Sequence, residues 1–201
     1  MFALPWCRPL VSAAAAALLC GCAVGPPLPA TGARPRAWVE AVNPWTSLDL
    51  NNDPRHFRFA IVADRTGGHR PGVFEDAVRK LNLLQPEFVV CVGDLVEGYT
   101  EDKEVMARQC AEFDSLVGAL EMPFFYLPGN HDLSNEAMAS DWRQRRGRPF
   151  YHFVYQVVLF RFLDTEDPPA GSGHLGPPQI EYVRAALADS PTVRWTMVFL
   201  H

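Results

Sequence analysis

The sequence predicts an α/β fold, from the pattern of its apolar runs and from what lies between and after them. Phe59 to Ala63, Phe88 to Val92 and Phe124 to Tyr126 are short apolar runs of the kind that form buried strands. Apolar residues at helical spacing separate consecutive runs, and strand–helix alternation gives a sheet whose neighbouring strands are largely parallel. Each run also stops at a residue type that binds metals. Asp64 follows the first, Gly93-Asp94 the second, and Leu127-Pro128-Gly129-Asn130-His131-Asp132 the third. Ligand sites of open α/β sheets gather at the carboxyl ends of strands, so the three ends are read as one site.

The chain begins with a segment that reads as processing signal rather than fold. Arg8 supplies a short positive region, and Pro9 to Leu19 is apolar but shorter than the roughly 20 residues that span a bilayer. Leu19-Cys20-Gly21-Cys22 resembles a bacterial lipobox, which makes residues 1–22 a lipoprotein-type signal peptide with the lipid on Cys22. The expected location is an exported, membrane-anchored protein facing the periplasm or the cell exterior. A plain secretory signal cleaved nearby is the alternative. Residues 23–55, rich in Pro, Ala and Gly, read as a tether whose end Trp38 and Trp45 either dock or leave solvated. Residues 56–201 are the domain.

Within the domain, Phe74, Ala77, Val78, Leu81 and Leu84 mark a first helix facing the sheet, closed by Pro86. Met106, Cys110, Phe113, Val117 and Leu120 mark a second, and Pro123 introduces the strand that leads to Asn130. Arg143, Arg145, Arg146 and Arg148 form either a solvated basic face or a rim that attracts phosphate. Phe150 to Tyr155 and Val157 to Leu163 are two strands with no helix between them. Ile180, Val183 and Leu187 mark a further helix, and Val193 to Leu200 is an apolar strand that delivers His201. A domain rarely ends on the last residue of a core strand, so the domain is expected to be incomplete.

Length and composition narrow the choices. A chain of 201 residues allows one ordinary domain with a sizeable core. A net charge of −5 gives no electrostatic case for nucleic acid recognition. No Gly-x-Gly-x-x-Gly follows the first strand and no P-loop lysine is present, which argues against a nucleotide-binding α/β domain. Cys91 and Cys110, the cysteines beyond the leader, are expected to pack as small hydrophobes.

Asp64, Gly93-Asp94, Gly129-Asn130-His131-Asp132 and His201 occur in the order and context of the calcineurin-like metallophosphoesterases, which this sequence resembles over roughly residues 57 to 201. Leu163-Asp164-Thr165-Glu166 also resembles that family's strand end. The resemblance implies a two-sheet α/β/β/α sandwich lacking its C-terminal part. It implies hydrolysis of small-molecule or nucleotide phosphoesters with two divalent metals, manganese, iron or zinc. Two such cations lower the pKa of a shared water and clamp the oxygens of an in-line displacement. Asp64 would be a terminal ligand, Asp94 the bridge, and Asn130 and His201 ligands of the second metal. His131 would serve as general acid at the leaving oxygen. Asp132 would orient His131 or cap a helix.

Two departures stand out. Thr66 occupies the place of a ligating His, and the closing Gly-His-x-His is absent. His69 is a candidate to replace the missing imidazole, and Arg65 to contact phosphate or pair with a carboxylate. His56, His152 and His174 are given no role in the chemistry. The plainer readings are a strand-terminal Asp that caps a helix and a His201 that is a frayed end. They lead to the alternative of a non-catalytic or fragmentary relative with an incomplete metal site.

Overall fold

The computed structural model describes residues 35–50, 56–167, 171–188 and 193–201. The expected signal peptide, Cys22 and the first part of the tether lie outside the described residues. No helix among the described residues is long and apolar enough to cross a membrane.

Three parallel strands form the first sheet: β2 (Ala60–Val62), β3 (Val89–Cys91) and β4 (Phe124–Phe125), in the order β2-β3-β4. Helices α1 (Val73–Leu84) and α2 (Lys103–Val117) are the crossovers. Gly72 and Gln85 bound α1 in left-handed conformations, and Pro86 then prevents continuation. The Asp102 carboxylate accepts from the Glu104 and Val105 amides, capping α2. Helix α3 (Glu136–Arg146) starts at Asn135, whose side chain accepts from the Met138 amide.

The second sheet has the order β1-β5-β6-β9, built from β1 (Arg36–Ala37), β5 (Tyr151–Tyr155), β6 (Val158–Phe162) and β9 (Trp195–Phe199). β5 and β6 are antiparallel, as the missing intervening helix requires, while β9 joins β6 in parallel. A short antiparallel pair, β7 (Glu166–Asp167) and β8 (Gly171–Ser172), precedes α4 (Pro177–Ala188), which supplies the crossover to β9.

The period-2 alternation of β3 explains why two sheets stack. Val89 and Cys91 face the helices, packing with Phe74, Val78, Met106, Phe113 and Trp142. Phe88 and Val90 face the other way, onto Phe153, Tyr155, Phe160 and Phe199 of the second sheet. Phe88 has no exposed surface and meets Phe125, Phe153 and Phe160 edge-on at 5.2–5.6 Å between centroids, a favoured aromatic geometry. On the outer side of the second sheet, Arg161 donates to the Val183 carbonyl and His152 meets the Tyr182 hydroxyl, which seats α4 there. The result is the expected α/β/β/α sandwich.

The structure changes several expectations. Part of the stretch read as tether belongs to the domain. β1 pairs with β5, Thr46 donates its amide to the Phe124 carbonyl, and Trp45 packs on Phe125 and Tyr151, while Trp38 stays exposed. Leu84 is 61% exposed, because α1 ends there, a turn beyond its last buried residue, Leu81. Ile180 and Leu187 are also exposed; the buried side of α4 is Gln179 and Ala186. β9 is apolar yet exposed along most of its length, since only one of its edges is paired among the described residues. Cys91 and Cys110 are free, and burial pushes both thiols up, Cys110 to about 11. Neither is a nucleophile at neutral pH.

Candidate metal centre

Each strand of the first sheet ends in a loop that turns back over the site. Asp64 (φ 52°) and Asp94 (φ 58°) both adopt the left-handed conformation, rare for residues with side chains and concentrated at functional sites. The backbone holds them there. The Asp64 amide donates to the Gly93 carbonyl, the Thr66 amide to the Asp94 carbonyl, and the Gly93 amide to the Leu127 carbonyl.

Asp64, Asp94 and His201 present ligand atoms that all lie within 4.8 Å of one another. Asn130 adds its carbonyl oxygen 3.0 Å from His201 Nε2. Asp94 is buried, and Asp64 opens to solvent. Gly93 and Gly129 make the approach possible. A Cβ on Gly93 would lie 2.5 Å from His201 Nδ1, and one on Gly129 would lie 2.4 Å from Asp94 Oδ1.

The hydrogen bonding of His201 tests whether these residues fit a cation. Its Nδ1 lies 3.0 Å from the Val92 carbonyl, which can only accept, so Nδ1 carries a proton. In the neutral ring, Nε2 then points a lone pair at Asn130 Oδ1 (3.0 Å) and Asp94 Oδ2 (3.4 Å). Three acceptors facing one another need either a proton or a cation between them. The set of two carboxylates, one amide oxygen and one imidazole suits a divalent metal. Burial alone would lower the His201 pKa, but the Val92 carbonyl and the carboxylates of Asp94, Asp64 and Asp132 outweigh it and raise it.

His131 lies at the edge of this group, its Nε2 4.0 Å from Asp94 Oδ2. Its Nδ1 contacts the Glu97 carbonyl at 2.7 Å, which fixes the tautomer and leaves Nε2 to face the site. Asp132 neither orients His131 nor caps a helix. Its buried carboxylate accepts from the backbone amides of Leu95, Val96 and Gly129, tying the second strand end to the third. The cap of α3 is Asn135.

The remaining candidates separate from the chemistry. Arg65 pairs with Glu112 of α2, donates to the Leu95 carbonyl and lies over the Phe113 ring, the carboxylate pairing of its two alternatives. His69 is exposed and lies outside the ligand group; it lines a neighbouring cleft of about 200 Å³ with Asp64, Gly68 and Arg70. Thr66 is buried, its hydroxyl 2.9 Å from the Val96 carbonyl and 3.2 Å from that of Asp94. It braces the Asp94 loop and does not replace a ligand. Three arginines of the basic segment are also held in ion pairs. Arg145 pairs with Asp141, Arg146 with Asp114 and Arg148 with Glu40.

Residue types alone did not indicate how His201 is supported. The Thr165 hydroxyl donates to the main-chain oxygen of His201 at 2.7 Å. Gln179 of α4 grips the neighbouring backbone at both ends, accepting from the Asp164 amide and donating to its carbonyl, each at 2.7 Å.

Burial pushes the Asp132 carboxyl up to about 7, against the three amide hydrogen bonds that pull it down. Both Asp132 and His201 therefore bind protons more tightly folded than unfolded. Such groups stabilise the fold fully below their unfolded pKa values and lose that contribution as pH rises through the folded ones. The metal-free protein is expected to become more stable as pH falls from about 8 to about 6, by about 1 kcal/mol from Asp132 alone. Thermal unfolding in chelator at both pH values checks this; a flat or opposite trend contradicts it.

A family model of calcineurin-like phosphoesterases matches residues 57–193. No curated protein matches the chain. The chain belongs to the calcineurin-like phosphoesterase family.

Proposed function

We propose that this calcineurin-like phosphoesterase is a metal-dependent hydrolase of small-molecule or nucleotide phosphoesters that uses two divalent cations, manganese, iron or zinc. The observation that carries the reading is the convergence of Asp94 Oδ2, Asn130 Oδ1 and His201 Nε2, with His201 Nδ1 turned away to the Val92 carbonyl. Asp64 and Asp94 would hold one cation; Asp94, Asn130 and His201 would hold the other. Bound there, the cations supply a water acidic enough to attack phosphorus and charge to balance the phosphoryl oxygens.

The side chains do the rest. Asp94 keeps both strand ends in register, accepting from the His131 amide through Oδ1 (3.1 Å) while Oδ2 faces the site. His131, its Nδ1 proton held by the Glu97 carbonyl, would in its doubly protonated form give the Nε2 proton to the leaving oxygen as its bond to phosphorus breaks. Gly67 passes over this ring so closely that a Cβ would lie 3.2 Å from Nε2.

The leader supports a further part of the proposal, an exported protein held at a membrane by lipid on Cys22. The intact mass of the mature chain tests it: a mass starting at an acylated Cys22 is expected, and an unmodified N-terminus elsewhere contradicts it.

Thr66 favours a second reading. With its hydroxyl turned to backbone carbonyls, it leaves the first cation only Asp64 and Asp94. A non-catalytic relative would bind metal weakly and turn nothing over. Chelator-stripped protein, reloaded with Mn²⁺, is expected to release nitrophenolate from 4-nitrophenyl phosphate or bis(4-nitrophenyl) phosphate, and to lose this activity in chelator. Metal uptake with no release from either ester selects the non-catalytic reading.

A further inference from the structure

We infer that Tyr99 is a positioning residue of the metal centre, holding the Asn130 carboxamide in place with its oxygen toward the cation; this rests on the metal-centre reading above. A carboxamide has two ends of similar shape and opposite polarity, and only the oxygen binds a metal. A hydroxyl beside the carboxamide can accept from the NH₂ end and so hold the group in place with its oxygen free for a cation. Here Asn130 Nδ2 donates to the Tyr99 hydroxyl oxygen at 2.9 Å, which leaves Oδ1 directed at His201 Nε2. The same ring sets its edge against the His131 imidazole, 4.9 Å between centroids and 85° between planes.

Tyr99 has no role in the core that would account for its position. It is 63% exposed, and its φ of 48° is strained for an aromatic residue. The surrounding loop holds that conformation by contacts to the segment that carries Asn130 and His131 and to α2. The Tyr99 amide donates to Ser134 Oγ (3.1 Å), the Gly98 amide to Gln109 Oε1 (3.1 Å), and Asn135 Nδ2 to the Thr100 carbonyl (3.2 Å). Gly98, at φ 62°, lies so near the His131 carbonyl that a Cβ would come within 1.8 Å of it. With the Glu97 carbonyl on His131 Nδ1, one loop orients both a metal ligand and the proposed acid. Hydrogen-bond partners of ligating side chains fix their orientation and tune metal affinity.

The test is Tyr99→Phe in the full chain, which removes the hydroxyl and keeps the ring on His131. Calorimetric titration with Mn²⁺ should give a Kd weakened by about tenfold at unchanged stoichiometry. Thermal unfolding of the metal-free variant should match wild type, because the side chain is exposed. Uptake with the same Kd in both proteins overturns the Tyr99 assignment and leaves the metal centre standing. Weakened uptake accompanied by a lower metal-free Tm also overturns it, since the effect is then one of folding. A wild-type chain that takes up no Mn²⁺ overturns the metal centre and the assignment with it.

Discussion

Replacing Asp94 with Asn is expected to abolish metal binding while leaving the metal-free protein as stable as wild type or more so. Asp94 is buried, with its carboxylate near those of Asp64 and Asp132. An ionised group in that setting is costly unless a cation or proton compensates it. Asn keeps the shape and can still accept from the His131 amide, so the fold loses little. The metal loses the one carboxylate placed between Asp64, His201 and His131. Metal content after gel filtration and thermal unfolding in chelator give the two readouts. Retained metal would contradict the ligand assignment, and a large loss of metal-free stability would recast Asp94 as a structural residue.

The second large effect is expected from Gly129→Ala. Gly129 sits between Asp94 and His201, and an added Cβ would lie 2.4 Å from Asp94 Oδ1, 2.7 Å from the Asp94 amide nitrogen and 3.0 Å from His201 Cδ2. The amide belongs to backbone and cannot yield cheaply, so the third loop must move away from the second. That separates Asn130 from Asp94 and strains the two amide hydrogen bonds that Leu95 and Val96 of the second loop make to Asp132. A stability cost of about 1–3 kcal/mol is expected from overpacking, with metal affinity lowered by roughly 10–100-fold. Urea unfolding and metal titration measure the two. Wild-type affinity in this variant would mean that the loops adjust without disturbing the site.

Asp64, Asp94, Asn130 and His201 were legible in the sequence because apolar runs are easy to see and the residue after each run is a metal-binding type. The strand ends then converge because the sheet is parallel, a consequence of the alternating pattern. What was not legible depends on atoms that every residue has. The orientation of His131 comes from the main-chain carbonyl of Glu97, and nothing about a glutamate predicts that. Asp132 accepts backbone amides 36 and 37 residues away, a choice decided by loop packing and not by the neighbouring imidazole. Arg65 was a candidate from its adjacency to Asp64, and Thr66 stood in the place of a ligating His; the turn at Asp64 sends Thr66 to the Asp94–Val96 backbone and Arg65 to Glu112 of α2. β1 is two residues long and β4 likewise, too short for any periodicity to reveal β1 in a proline-rich stretch. Helix α3 buries only Met138, Ala139 and Trp142, so its apolar stripe is thin and its arginines dominate the pattern. On the second sheet, the apolar spacing of Ile180 and Leu187 announced a helix but not its buried face, which Gln179 and Ala186 provide.

The most direct test of the metal centre is the metal content of the wild-type chain beside Asp94→Asn, each stripped with chelator, loaded with Mn²⁺ and passed through gel filtration. A centre built from Asp64, Asp94, Asn130 and His201 predicts at least one equivalent retained by the wild type and none by the variant. Equal retention in the two, or none in the wild type, would contradict it.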